Sequence, residues 1–247
     1  MPDFFFISFA KNAFQVSDGE SPFKEFAIYN FEGCAPTYEH LEMRDKKTKQ
    51  MVTILTSKDA NIISKRNVPY VPVSQHLYNN WDVNLKNFRD FMKSNFSVSK
   101  IFKHKVILVL PDDCMEAEKT TIYGFLYACG IVKYPRIYAC DIAHMLKQWD
   151  YVAVTKSVRA ISISLVENGG ILKQEFFPAG YDDIGHLKSL ADSWFSEFDI
   201  SEPSILLYGE NMEPFSSLGT VVPDDAVLAN MRWFRDSASR KWYRNIL

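Results

Sequence analysis

The side chains that could act as nucleophiles or bind a metal are scattered through the 247 residues. The five histidines form no HxxxH pair and no Cys/His cluster, so the sequence predicts no zinc site. Ser8 and Ser157 have no base beside them in the sequence, so we expect them to be ordinary loop residues. GxSxG, GxxxxGKS/T and GxGxxG motifs are missing, so the sequence lacks the local chemistry of hydrolases, P-loop proteins and dinucleotide-binding proteins.

The composition is that of a globular protein with balanced charge. Apolar residues make up 47% of the chain. The 28 basic residues nearly balance the 30 acidic residues, so no overall positive field attracts nucleic acid or anionic lipid. The four cysteines lack CxxC spacing, which favours reduced core thiols. No stretch approaches the roughly 20 apolar residues of a membrane span, and the apolar segment after Asp3 has no basic flank. We therefore expect a cytoplasmic protein without a signal peptide.

Apolar runs and turn residues predict two halves of similar order. In the first half we predict strands at residues 4–9, 13–16 and 26–29, a hairpin with arms at 40–43 and 50–55, a helix from Asp82, a strand at 105–110, a helix after Pro111, a strand at 136–140 and a helix at 141–149. In the second half we predict strands at 151–154, 160–166 and 171–177, a helix at about 184–198, a strand at 204–208, a short helix at Glu213-Pro214 and a final segment from about Asp224.

This repeated order predicts an α/β protein with two duplicated lobes. The first lobe covers residues 1–150 and carries a small inserted hairpin region at about 31–75, and the second covers residues 151–247. Strands that alternate with helices indicate parallel pairing with right-handed crossovers.

Several segments resemble the actin/Hsp70 superfamily, in particular the bacterial actin MreB. They are PTYEHLEMRDKKTKQMVTILTSKDA, HLYNNWDVNLKNFRDFM, KVILVLPDDCMEAEKTTIYGFLYACGI, ISLVENGGIL and ILLYGENMEPFSSLG, in the family's order. The resemblance implies RNase H-like lobes with a nucleotide between them. Family members are longer, so the outer subdomain of the second lobe is expected to be absent here.

In that family two hairpin loops cradle the phosphates through glycine N–H groups, and acids near the loops organise Mg²⁺ and its waters. The resemblance places nine residues of this chain in the cleft, several of them where the family has glycine or aspartate: Ser8, Ala10, Lys11, Asn12, Thr155, Lys156, Ser157, Arg159 and Gly209. Ser8 and Thr155 stand at the acidic positions, Ala10 stands at a glycine, and Ser157-Val158-Arg159 replaces a glycine triplet. The first loop covers residues 7–12 and the second covers residues 154–159. Because the two loops contain neither glycine nor carboxylate, we expect no metal and no ATP or Mg²⁺ cofactor, although simple nucleotide binding is left open.

Two groups of charged residues have alternative interpretations. Glu118 resembles the family acid that positions the attacking water, with Glu116 as a competing match; alternatively both offset the dipole of a helix N-terminus. The cations at Lys11, Lys156 and Arg159 could replace Mg²⁺ and hold an anion, or be solvated loop residues or partner contacts.

The segment from residue 232 to residue 244 carries five basic residues among four aromatic ones. Its apolar positions share one helical face with those just before it: Val227, Met231, Phe234, Ala238 and Trp242. Such a helix could contact an anionic membrane surface or stack on nucleic acid, or dock on its own lobe with the arginines solvated. We favour docking and expect no nucleic-acid partner.

The sequence thus favours a catalytically inactive actin-like scaffold that binds a protein partner or forms a homo-oligomer. The alternative is a divergent ATPase that forms filaments with nucleotide. A sugar-kinase or acyl-transfer relative is a third candidate, and it would need a catalytic aspartate in the cleft, which the sequence does not reveal.

Overall fold

The structure, a computed structural model, describes residues 3–11, 14–27, 38–44, 51–57, 62–64, 77, 81–98, 104–130, 132–200 and 202–236. Its strands are β1 (Phe4–Ser8), β2 (Phe14–Ser17), β3 (Lys24–Phe26), β4 (Tyr38–Arg44), β5 (Met51–Ser57), β6 (Ile62–Ser64), β7 (His104–Leu110), β8 (Val132–Asp141), β9 (Tyr151–Lys156), β10 (Ala160–Glu167), β11 (Gly170–Pro178), β12 (Ile205–Gly209) and β13 (Thr220–Val221). Its α-helices are α1 (Trp81–Asn95), α2 (Glu116–Ala128), α3 (Ile184–Glu197) and α4 (Asp224–Asp236), and short 3₁₀ helices span Ile142–Met145 and Glu213–Phe215.

The first sheet has five strands in the order β3-β2-β1-β7-β8. β1, β2 and β3 are antiparallel neighbours, whereas β7 and β8 run parallel to β1. Parallel neighbours need a crossover, and α2 supplies the one between β7 and β8. A separate sheet, β4-β5-β6, falls in the predicted insertion, and β4 and β5 pair as the predicted hairpin.

The second sheet repeats this arrangement with the order β11-β10-β9-β12-β13. β9, β10 and β11 are antiparallel, and β12 and β13 run parallel to β9. The same strand order in both sheets confirms the predicted α/β fold with duplicated RNase H-like lobes. Only residues 179–183 separate β11 from α3.

Three predicted elements differ from the structure. The helix predicted at 141–149 is a four-residue 3₁₀ helix, and the Tyr151 hydroxyl donates to the Ala143 carbonyl within it. The strand predicted at 26–29 spans Lys24–Phe26, because pairing with β2 sets Phe26 opposite Phe14, with ring centroids 5.5 Å apart. β8 begins at Val132, four residues before the predicted start.

Three buried apolar clusters hold the elements together. In the first lobe, α1 and α2 cover the sheet through aromatic contacts such as Phe88 with Phe125, whose centroids are 5.5 Å apart. In the second lobe, α3 packs on β9 and β10 through Leu187 and Trp194. The third cluster contains residues of both sheets and of α4, including the fully buried Met231. The two lobes therefore share one apolar junction.

Candidate functional site

The carboxyl ends of parallel strands from both sheets meet between the lobes. Asp112 follows β7 in the first lobe, and its carboxylate accepts a hydrogen bond from Thr155, near the end of β9 in the second lobe. In open α/β sheets, ligand sites lie at such strand ends. We therefore consider this crevice as the candidate site.

In the first hairpin loop, Lys11 is paired with a carboxylate on α4. Its Nζ lies 2.5 Å from Oδ1 of Asp224 and 4.7 Å from the ring centre of Tyr208. Asp224 also accepts hydrogen bonds from Gln15 Nε2 at 3.2 Å and from the Tyr208 hydroxyl at 3.0 Å. Burial alone would raise the pKa of Asp224, but the hydrogen bond and charge of Lys11 outweigh burial and lower it. The charge of Lys11 is therefore compensated within the protein.

The other residues of the first loop are turned inward. Ser8 is fully buried, and its Oγ accepts a 3.3 Å hydrogen bond from the backbone N–H of Ala10. Ala10 belongs to the apolar cluster between the lobes. Asn12 lies outside the described residues. The serine at the family's acidic position thus serves the fold of its own loop.

The second hairpin loop is closed by Ser157 rather than by glycine. Its Oγ accepts the backbone N–H groups of Arg159 and Ala160, each at 3.1 Å, and its own N–H donates to the Ala160 carbonyl at 2.9 Å. A phosphate-binding nest needs backbone N–H groups that point to the ligand. Here three of them are used inside the hairpin.

The Arg159 guanidinium crosses to the first lobe and forms a buried ion-pair cluster. Nη1 and Nη2 donate to the two oxygens of Glu118 at 2.9 and 2.8 Å, and Nε donates to Asp113 Oδ2 at 2.9 Å. These three side chains are 6–7% exposed. Burial alone would lower the pKa of Arg159, but the charges of Asp113 and Glu118 outweigh it and raise it. Arg159 is therefore not a solvated loop cation, which corrects one of the three interpretations from the sequence.

Glu118 also caps its own helix. Its Oε2 accepts the backbone N–H of Met115 at 2.8 Å, so the carboxylate lies where it offsets the N-terminus of α2. A water-positioning role for Glu118 would compete with this bond and with the Arg159 pair. The competing match, Glu116, is 88% exposed and lies 3.2 Å from Lys119.

Asp112 is a crevice residue that the sequence pattern predicts only as the end of a strand. Its carboxylate accepts hydrogen bonds from Thr155 Oγ1 at 2.5 Å, Ser162 Oγ at 2.7 Å and the Ala143 N–H at 2.9 Å. Burial raises the pKa of Asp112, and the two hydroxyl groups oppose that rise. The crevice therefore contains an aspartate that the sequence pattern does not reveal, and it accepts a hydrogen bond from the threonine that the resemblance places at an acidic position.

A second acid lies near Asp112 at the end of β8. Burial, and then the charge of Asp112, raise the pKa of Asp141 to about 6, while Lys119 opposes the rise. Across the residues that the structure describes, no group of three or more His, Cys, Asp or Glu side chains has the arrangement of a metal site.

Gly209, which the resemblance places in the cleft, is required by strand packing. Its φ is +144°, and a Cβ there would lie 2.5 Å from the carbonyl oxygen of Lys156. The close pairing of β12 with β9 therefore explains this glycine without a ligand.

An open cleft of about 250 Å³ lies next to these contacts. Its lining comes from both hairpin loops and from the turns after β11 and β12: Lys11, Lys156, Ser157, Val158, Ala179, Gly180, Glu210 and Asn211. Lys156 Nζ lies 5.8 Å from the ring centre of Phe215, and no ion pair to Lys156 occurs among the described residues. Burial raises the pKa of Glu210, with Lys11 and Lys156 opposing. The volume is below the roughly 300–1,000 Å³ typical of small-molecule pockets.

The described part of the C-terminal segment docks on the protein. Val227, Met231 and Phe234, on the predicted apolar face, are buried between the lobes, and Arg235 stacks over the Phe6 ring at 5.6 Å. Residues 237–247 lie outside the described residues, including Ala238 and Trp242. In the portion that is described, no helix has both the length and the apolar content to cross a bilayer.

Three cysteines have described positions. Cys129 and Cys140 are buried, Cys114 is half-buried, and none of the three is joined to another described cysteine. Burial raises the pKa of Cys114 and of Cys140, so neither thiol is activated. Cys34 lies outside the described residues.

The duplicated strand order defines a two-lobed protein of the actin-like ATPase fold class, in agreement with the predicted resemblance. The sequence matches no known family and no curated protein. Solved structures similar in fold include the ethanolamine utilization protein EutJ from Carboxydothermus hydrogenoformans, with 10% identity over 92% of this chain and 87% of that chain and a TM-score of 0.47. A Bacteroides thetaiotaomicron protein with actin-like ATPase fold and unknown function has 10% identity over 95% of both chains and a TM-score of 0.39. MreB5 of Spiroplasma citri bound to AMPPNP has 13% identity over 81% of this chain and 58% of that chain, with a TM-score of 0.36.

Proposed function

We propose that this chain is a non-catalytic actin-like scaffold that acts through contacts with a protein partner or with copies of itself. Side-chain pairs then hold the lobes together at the place where the resemblance implies a metal-bound nucleotide. The observation that carries the proposal is the bidentate Arg159–Glu118 pair, with both bonds at 2.8–2.9 Å. The Lys11–Asp224 pair supports it, because it compensates a second cation next to the crevice.

The energetic argument concerns what an anion would have to displace. Removing one partner from a buried ion pair costs about 3–5 kcal/mol. A phosphate that drew Arg159 away from Asp113 and Glu118 would pay a comparable cost, which lowers its affinity by about 10²–10⁴-fold. The backbone N–H groups of Arg159 and Ala160 could offset this cost by binding the phosphate, but they already donate to the Ser157 hydroxyl.

Thermal unfolding with and without nucleotide tests the proposal. A ligand with a Kd of about 1 μM, present at about 1 mM, stabilises a protein by about 4.1 kcal/mol, or about 8–16 °C in Tm for a chain of this size. We expect Mg-ATP and Mg-ADP to change Tm by less than about 1 °C, with Mg²⁺ alone and ATP without Mg²⁺ as controls. A Tm increase that needs both Mg²⁺ and nucleotide would refute the idea that side-chain pairs have replaced a metal-bound nucleotide in the crevice.

A second candidate is metal-free binding of a small anion or nucleotide, favoured by Lys156 beside the open cleft. It predicts that ATP without Mg²⁺ raises Tm and that Lys156→Ala abolishes the increase. Lys188→Ala, which removes an exposed lysine on α3, is the matched control. Electron microscopy with and without ATP separates both candidates from the filament-forming ATPase, which predicts filaments only with nucleotide.

A further inference from the structure

The hairpin that joins β10 to β11 turns on an asparagine followed by a glycine. Glu167 pairs with Gly170, so the loop between them consists of Asn168 and Gly169. Their φ angles are +50° and +79°, and a type I′ turn requires positive values at both central positions. Asparagine followed by glycine is the pair that this turn prefers, so the turn explains why both residues are present. The same pair places a backbone nitrogen next to a side-chain amide carbon.

The surroundings of the turn leave these two groups open to reaction. The Asn168 side chain is exposed, and a Cβ built on Gly169 would meet no atom within 4 Å. Glycine has no side chain that could shield its own nitrogen. Among the described residues, none accepts a backbone hydrogen bond from the Gly169 N–H. The sequence contains no second Asn-Gly pair, so this turn is distinct from every other asparagine in the chain.

We propose that Asn168 is a site of spontaneous deamidation. The backbone nitrogen of Gly169 attacks Cγ of Asn168, so a new N–Cγ bond forms and the Cγ–Nδ2 bond breaks. Ammonia leaves and carries away the proton of the Gly169 nitrogen, and a five-membered succinimide ring remains. Water then opens the ring at one of its two carbonyl groups. The products are aspartate, or isoaspartate, in which the main chain runs through the side-chain carbon atoms.

Two hydrogen bonds hold the turn and therefore control the rate. The Asn168 N–H donates to Asp150 Oδ1 at 2.8 Å, and His144 Nδ1 donates to the Gly169 carbonyl at 2.9 Å. His144 belongs to the 3₁₀ helix Ile142–Met145, so the chain segment between the lobes anchors the turn. To reach Cγ, the Gly169 nitrogen must rotate toward the Asn168 side chain and leave the turn geometry. The reaction thus proceeds from a locally opened state, whose population depends on the two bonds.

The two products have different effects on the hairpin. Aspartate is compatible with a type I′ turn, but its carboxylate adds a negative charge next to Glu167 and Asp150. Isoaspartate lengthens the main chain by one atom in a loop of two residues, which no longer matches the twist of the strands. β10 carries Ser162, which donates to Asp112 across the crevice, so we expect the aged protein to unfold at a lower temperature. This chemistry does not depend on what the crevice binds.

Peptide mass mapping of protein kept for several weeks in warm neutral buffer tests the site. Deamidation replaces NH₂ by OH and adds about 1 Da and a negative charge, and buffer enriched in heavy oxygen labels the ring-opening step. Asn211 is the internal control, because it is exposed and has φ +54° but precedes Met212, whose side chain hinders attack. We expect Asn168 to react at least about tenfold faster than Asn211. Equal rates, or an unchanged Asn168, would overturn the proposal.

Variants of the turn test how the rate is controlled. Asn168→Gly keeps a sequence suited to the turn but lacks the amide, so the mass gain in this peptide should disappear. His144→Phe keeps a ring without its donor, and Asp150→Ala removes the other partner. Each should speed the reaction by about 2–10-fold, as expected for the loss of one hydrogen bond. Asp192→Ala, which removes an exposed acid on α3, should leave the rate unchanged. A gain that persists in Asn168→Gly would overturn the site, and parent rates in both other variants would overturn the control by the turn.

Discussion

Replacing Arg159 by methionine should destabilise the fold strongly. Arg159 is bonded to Asp113 and Glu118, and all three side chains are 6–7% exposed. Methionine fills part of the space but leaves two buried carboxylates without their cation. Breaking a buried pair in this way costs about 3–5 kcal/mol. In a chain of this size that corresponds to a Tm decrease of about 6–20 °C.

Circular dichroism during heating and urea unfolding gives both Tm and the free energy of unfolding. Lys188→Met is the control, since it removes an exposed i,i+4 pair that contributes about 0–1 kcal/mol. The double variant Arg159→Met/Glu118→Gln should recover part of the loss, because one of the two orphaned charges is removed. If Arg159→Met unfolds within about 1 kcal/mol of the parent, the cluster does not hold the lobes together and the scaffold proposal loses its main support.

Three further outcomes follow from the buried groups and the glycines. Burial lowers the pKa of His144 to about 4, so the unfolded chain binds a proton at a higher pH than the folded protein does. The free energy of unfolding should therefore fall as the pH decreases from about 6.5 to 4. Urea titrations of His144→Gln should show that this loss is removed. The raised pKa of Asp141, about 6, acts in the opposite sense, so Asp141→Asn should make the loss at low pH steeper. Gly209→Ala should lower the free energy of unfolding by at least about 1–3 kcal/mol, because of the backbone conformation of Gly209 and the contact with Lys156. Gly180→Ala should change it by no more than about 0.5 kcal/mol, because a Cβ at Gly180 would have no atom within 4 Å. Equal losses of stability in the two variants would contradict the packing explanation.

The strands and helices could be predicted because their signals are local. An uninterrupted apolar run at 106–110 marks β7, and all five of these residues are buried. A glycine is a local signal for a helix end, and Gly130 has φ +76° directly after the cap of α2. Local signals overestimated the helix at 141–149, where the structure has a 3₁₀ helix at Ile142–Met145 whose Ala143 carbonyl accepts the Tyr151 hydroxyl.

The contents of the crevice could not be predicted, because they depend on residues distant in the chain. Arg159 and Glu118 are 41 positions apart, and Lys11 and Asp224 are 213 apart. From the sequence, each of these charges could equally be solvated, bound to a ligand or paired. Only the fold brings them within 3 Å. The resemblance to the actin-like class located the two loops but gave no means of seeing that side chains of the protein itself would satisfy their charges.

The position of α4 late in the chain has a consequence for biosynthesis. Phe6, Ile107 and Val109 of the first sheet share their apolar cluster with Met231 and Phe234 of this helix. On the ribosome, amino-terminal elements emerge and fold first, so these side chains await a partner until residues 224–236 have been made. During that interval the nascent first lobe exposes an apolar surface, and chaperones would be most needed then.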